Sequence, residues 1–398
     1  MSSYAVPLSG LTAMSDSLNV IANNLANLNT DGYKNETLDF ATTLSGVQAA
    51  GTETNFSDGN LNSTGVSSNM ALQGNGFFVV QDSSSGLEYT RNGDFTENSQ
   101  GELCTQTGQL LLGYPAVNGV VQAGSALAPI NVGEVNNIPA SATTSFQMTT
   151  NLDASATTGT TFDSPITVYD SLGESHDLTV EYTNTAPNTW TYSIMLPAAD
   201  TGGTGNPTQV AAGTLTFNSS GVLTSPSGSV TGISITGLAD GAADMNLTWN
   251  LNGSGGTPAI TQQATASATS ATSQNGYTNG TFTGFQVLSD GTVQGQFSND
   301  QTLALGQVAV ANFANNQGLT QVANSDYQAS SASGAAVIGQ AGTGGRGTIT
   351  GGSVEESNVD LSAEFAQMIV AQQGYEANSK VLTTFDQLAQ TVLQEVTA

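Results

Sequence analysis

Near the start of the chain, Leu11, Met14, Leu18, Ile21, Leu25 and Leu28 recur at alternating spacings of three and four, and Tyr4 continues the series upstream. That spacing lays one narrow apolar stripe along a helix, as the a and d positions of a coiled-coil seam do. Ser15, Asp16, Asn19, Asn23 and Asn27 fall on the other side, and the glycine of TDGYK predicts a stop soon after Asn29. A helix from Tyr4 to Leu28 would run about 38 Å at about 1.5 Å per residue. The other end repeats the pattern. Ser357, Asn358 and Asp360, with Glu364 in an early turn, favour a helix start. Beyond them Leu361, Phe365, Met368, Tyr375 and Leu382 fit one heptad series, while Phe385, Leu388 and Val392 make an adjacent stripe, so this helix has two contact faces. Gly374 inside it costs about 1 kcal/mol relative to Ala, which points to close packing or to a tolerated weak point.

Between the ends the period changes to that of strands. GNGFFVVQD, from Gly74, is an apolar run bounded by turns, and Asn92-Gly93 stands between strand-like segments as a hairpin signal. DFTENSQGE, from Asp94, mimics part of an acidic calcium loop but lacks the regular acidic alternation and the correctly placed terminal Glu of an EF-hand, so a structural hairpin is expected there. From Thr167 the pattern alternates again, split by DSLGES and by the turn around Pro187. Thr257 to Asn279 loses hydrophobic periodicity and reads as a connector. Asp290-Gly291 then occupies a second hairpin position.

Composition narrows the function. A chain of 398 residues can bury more than one core, and 46 glycines with only 9% charged residues suit turn-rich β structure. Four Lys and Arg against 31 Asp and Glu give a formal charge of -27, which repels a phosphate backbone and excludes nucleic acid as a partner. Copies packed into a polymer would also repel unless salt screens them. No stretch approaches the roughly 20 apolar residues of a membrane span, so no membrane insertion is expected, and the N-terminus lacks the basic and apolar regions of a secretory signal. Cys104 is the single cysteine and is expected to be buried; His176 is the single histidine and, with no second His or Cys nearby, reads as a loop or packing residue rather than a metal ligand. No nucleophile–base pair and no phosphate loop is present, so no enzyme activity and no cofactor or metal is expected. A pair of scattered carboxylates brought together as in a glycosidase, or an adhesin-like secreted β protein, are the weaker alternatives.

Two long motifs carry a resemblance. SGLTAMSDSLNVIANNLANLNTDGYK (Ser9 to Lys34) and GGSVEESNVDLSAEFAQMIVAQQGYEANSKVLTTFDQL (Gly351 to Leu388) resemble the N- and C-terminal signatures of the bacterial flagellar rod, hook and hook-associated axial family. The FFVV and YTRNGDF segments resemble its shared β-rich domain, and the region from Phe146 resembles the domain inserted in hook subunits, with a distal-rod or other axial subunit as the alternative. The resemblance implies a mainly β fold with long α-helical termini: nested β-rich domains and a coiled-coil-like terminal helix pair. Its expected layout is a terminal helical assembly domain (1–30 and 353–398), connectors (31–70 and 335–352), a β-rich core (71–145 and 276–334) and an inserted outer β-domain (146–275). It implies an extracellular hook subunit, exported by the flagellar type III apparatus without a cleaved signal and polymerising with itself into a flexible tube. The implied neighbours are the distal rod protein, the hook cap protein and the hook–filament junction protein. The apolar residues of both terminal stripes would form the assembly interface. Asn23, Asn24, Asn27 and Asn29 would either contact a second subunit or simply solvate the helix end.

Overall fold

The computed structural model describes residues 4–44, 46–82, 86–253 and 256–397. It is mainly β, with helix α1 over Ala5–Ala26 and helix α2 over Leu361–Thr397, so the expected class of β structure with helical termini holds. α1 closes at Asn27, whose N–H donates to the carbonyls of Asn23 and Asn24 at 3.1 and 3.2 Å. α2 opens on Asp360, whose Oδ1 accepts from the N–H groups of Ser362 (2.8 Å) and Ala363 (3.2 Å), satisfying donors that the first turn leaves free. The chain divides into two compact units. One comprises Met1–Val135, Thr283–Gln296 and Thr302–Ala398; the other comprises Asn136–Phe282 and Phe297–Gln301.

In the first unit the FFVV run lies inside a sheet. The strand Phe77–Asp82 pairs with Gly86–Thr90, with Leu110–Val117 and with Thr302–Asn312. Phe78 and Val80 enter one core while Phe77 and Val79 enter another on the opposite face, which is why the run is continuously apolar instead of alternating. Residues 94–102 form the expected hairpin between Phe95–Glu97 and Leu103–Thr105; Asn98 Oδ1 organises its turn by accepting the N–H groups of Gln100 and Glu102. Cys104 is buried in that hairpin. Asp290-Gly291 also turns a hairpin, with Gly291 at φ +84° and Leu288 N–H donating to Thr292 O at 2.9 Å. Asn92-Gly93 does not. The strands on either side of it, Gly86–Thr90 and Phe95–Glu97, pair with other strands and not with each other. Gly93 instead lies flat against Met70, whose N–H it accepts at 2.9 Å, and a Cβ there would collide with the Met70 carbonyl oxygen. A long-range backbone contact has overridden the local turn preference. Ahead of these strands, β1 (Glu36–Thr43) and β2 (Gly46–Thr54) form an antiparallel hairpin tied to α1 by Val47 N–H donating to Ser9 Oγ at 3.1 Å.

In the second unit two sheets share one core. Thr161–Tyr169, Ser175–Ala186, Thr189–Leu196, Thr208–Phe217 and Leu223–Ser225 run antiparallel in sequence order. The second sheet is built on Ser145–Asp153. Burial alternates from Ser175 to Asn184 and along Thr189–Leu196, and the inward residues surround the fully buried Trp190 and Trp249. The stretch read as a connector is corrected here: Ile260–Gln263 and Ala268–Gln274 are strands, both paired with Ser145–Asp153. Ala268–Gln274 leaves most of its Thr, Ser and Ala side chains exposed, so its ladder hydrogen bonds hold it without an apolar period to betray it. His176 is buried near the start of its strand, with Asp170 and Asp200 on its two ring nitrogens.

Candidate assembly interface

α1 and α2 pair with each other, antiparallel. Tyr4 Oη donates to the Phe385 carbonyl at 3.4 Å, Gly10 sits under Asn378, Met14 lies against Gly374, and Asn24 Nδ2 donates to Glu364 Oε1 at 3.2 Å, so partners fall on α2 as positions climb on α1. The faces that meet are built from small residues. A Cβ on Gly10 would lie 2.7 Å from Asn378 Oδ1, and one on Gly374 would lie 2.9 Å from Met14 Sδ. Ala13 and Ala371 are buried in the same interface-facing rows. Gly374 therefore serves close packing. Gly374→Ala is expected to change stability by less than about 1 kcal/mol, because the helix preference of Ala offsets displacement of the flexible Met14 end. Gly374→Leu has no such relief and should unpair the helices, seen as loss of helical circular dichroism and faster proteolysis of both termini; unchanged protection would refute the packing argument.

Many of the large α2 side chains take the other direction. On α2, Leu361, Phe365, Tyr375, Leu388 and Val392 are exposed, as are Ile369 (54%) and Val370 (68%). Met368, Leu382 and Phe385 are half-buried. On α1, Ile21 is buried and Leu11, Met14, Leu18 and Leu25 are half-buried, as is Leu28 just beyond its end. An apolar cavity of about 360 Å³ opens between Met14, Val20 and Ile21 of α1, Leu38 and Phe40 of β1, and Ala366 and Val370 of α2. Of the four asparagines, Asn23 and Asn29 are exposed and Asn27 is half-buried. Asn24 is buried and spends its amide within the chain: Nδ2 also donates to Glu36 O at 2.8 Å, while Oδ1 accepts from Glu36 N–H and Tyr33 Oη, each at 3.1 Å.

Where the chain leaves α1 and where it enters α2, the two connecting segments are locked together. Gly32, at φ +70°, donates its N–H to Glu355 O at 2.7 Å, and a Cβ there would lie 2.4 Å from Asn92 N. Lys34 Nζ meets Glu355 Oε1 at 2.6 Å and Ser57 O at 2.7 Å; Arg91 reaches Glu355 Oε2 and Asp58 Oδ1, each at 3.4 Å. Lys34, Arg91 and Glu355 are 1%, 2% and 0% exposed, so two of the four basic residues of the chain are committed to this interior node. Burial pushes the Lys34 ammonium below its ordinary pKa against the raising pull of Glu355. Burial, with Glu36 and Glu364 beside it, pushes the Tyr33 hydroxyl up to about 12. Sequence reasoning missed this node. The only signal it offered was that Lys34 and Arg91 stand inside the two motifs TDGYK and YTRNGDF of a chain otherwise almost free of cations.

Comparison with known proteins supplies the class. Residues 6–34 match the flagella basal body rod protein family, 71–168 the D1 domain of the flagellar hook proteins FlgE/F/G, 137–277 the D2 domain of the flagellar basal body protein FlaE, and 350–395 the C-terminal region of basal body rod FlgEFG proteins. Terminal helices around such β domains define a flagellar axial subunit. The flagellar hook protein FlgE of Escherichia coli strain K12 is 36% identical over 411 residues, covering 98% of this chain and 99% of that protein. FlgE of Salmonella typhimurium is 37% identical over 414 residues, again covering 98% and 99%. The chain belongs to the flagellar hook protein FlgE family, a family of structural proteins, and is a structural subunit of the hook. A crystal structure of the Helicobacter pylori hook protein FlgE2 shares the fold, with a TM-score of 0.54 over 72% of this chain and 98% of that one at 13% identity.

Proposed function

We propose that this subunit polymerises with copies of itself through α1 and α2 into a hollow, flexible tube that acts as a universal joint, passing motor torque to the filament. One observation carries the reading: the helix pair meets through Gly10, Ala13, Ala371 and Gly374 and turns Phe365, Ile369, Val370, Leu388 and Val392 outward. Water-facing rows of large apolar side chains beside a dry, small-residue seam invert the order of a finished helical hairpin, and neighbouring copies would cover them. Persistent apolar contacts hold the tube, whereas polar β surfaces rich in Ser, Thr and Asn exchange contacts through water at low cost as it bends. The subunit leaves the cell through the flagellar type III apparatus without a cleaved signal peptide. It assembles outside the cell under the hook cap protein, between the distal rod protein and the hook–filament junction protein. Electron microscopy of cells lacking the chain tests this: basal bodies should keep the rod and lack the curved extracellular segment, and intact hooks would overturn the reading.

A further inference from the structure

The second unit contains no lysine or arginine, against nine Asp and Glu in residues 136–282 and one more, Asp300, in 297–301. His176 is therefore its one side chain able to carry positive charge near neutrality, and it is 4% exposed. Three aspartates from separate segments converge on it. Asp170, fully buried in the turn before the His176 strand, spends Oδ1 on the N–H groups of Leu172 and Glu174 at 2.8 and 2.9 Å and presents Oδ2 to His176 Nε2 at 3.3 Å. Asp200, from the short 3-10 turn Ala198–Thr201, holds Nδ1 at 3.0 Å. Asp240 comes from the loop between Val230–Ile235 and Met245–Asn250, and one ligand atom from each of Asp170, His176 and Asp240 lies within 4.8 Å of the others.

Even a protonated imidazole would leave this group two negative charges in excess, with no basic side chain in the unit to offset them. A divalent cation on the neutral imidazole lowers that excess to one. A carboxylate on Nδ1 is also what orients a metal-bound histidine, because it fixes the tautomer whose Nε2 lone pair is free to coordinate. We propose that Asp170, His176 Nε2 and Asp240 bind one divalent metal ion of the zinc class, with Asp200 as the positioning residue and solvent completing the shell. One imidazole with two carboxylates suits Zn²⁺, whereas Ca²⁺ asks for six to eight oxygens. The ion would tie the turn at Asp170 to the loop at Asp240 and stiffen the second unit.

Titration of ZnCl₂ into the full, metal-stripped chain near pH 7.5, followed by calorimetry and elemental analysis, should give one zinc per chain. Asp240→Asn, at an exposed side chain, should keep the fold and weaken binding at least tenfold, and His176→Gln should do the same. Because the chain has a single histidine, imidazole nitrogen NMR shifts on adding Zn²⁺ belong to His176 alone. Coordination at Nε2 is expected, and this readout decides the matter if His176→Gln does not fold. Less than half a zinc per chain, undiminished affinity in Asp240→Asn, unmoved imidazole resonances, or binding of Ca²⁺ in preference to Zn²⁺ would each overturn the site.

Discussion

Leu388→Asp, and independently Ile369→Asp, should leave the monomer intact and stop it assembling. Both side chains are more than half exposed, at 56% and 54%, so the substitutions should move monomer stability by no more than about 0.5 kcal/mol. In a polymer the same carboxylate would be desolvated against apolar neighbours with no cation at hand, a cost of several kcal/mol per subunit. At about 1.4 kcal/mol per factor of ten, the critical concentration for assembly should rise at least about a hundredfold. The measurement is sedimentation and electron microscopy of purified subunits against concentration, beside circular dichroism of the monomer. Salt separates this cause from the general repulsion of a chain carrying -27. At about 1 M the Debye length is about 3 Å, so repulsion between distant charges disappears while desolvation persists. Normal tubes from either variant would remove both the outward face of α2 and the polymerisation reading built on it.

Glu355→Ala should be the most damaging single change to the first unit. It strips Lys34 of its paired carboxylate, takes one partner from Arg91 and removes the acceptor of the Gly59 N–H at 2.8 Å, leaving the Lys34 ammonium buried with only the Ser57 carbonyl as a hydrogen-bond partner. Breaking such a pair costs about 3–5 kcal/mol. Lys34→Met combined with Glu355→Leu should recover part of that loss, because removing both charges removes the desolvation that neither can then repay. Arg91 keeps the carbonyls of Leu72 and Gly74 and the carboxylate of Asp58 in that double variant. Both tryptophans, Trp190 and Trp249, belong to the second unit, so their fluorescence should hold its denaturation midpoint while helical circular dichroism loses stability. A loss below about 1 kcal/mol would mean that the node contributes little.

Features set by neighbours in sequence were legible. The period of three and four along Leu11 to Leu28 marks a helix, Asp360 and Glu364 mark the start of another, and Asp290-Gly291 marks a hairpin, because each depends on residues within a turn or two. Asn92-Gly93 shows the limit of that reasoning: the same chemistry was overruled by the Met70 backbone, far away in sequence. Ala268–Gln274 shows another, since a strand held mainly by its ladder to Ser145–Asp153 carries no apolar rhythm.

The sequence by itself determined the helical ends, the β-rich middle and the family resemblance, since periodicity and motif are properties of the chain read in order. Which face of each helix meets the other was decided by tertiary structure, because close approach is set by the smallest side chains, Gly10 and Gly374, rather than by the most apolar. Tertiary structure also joined Lys34 to Glu355 across 321 positions and gathered Asp170, Asp200 and Asp240 around His176. Charges act through space, and only the folded backbone sets the distances over which they act.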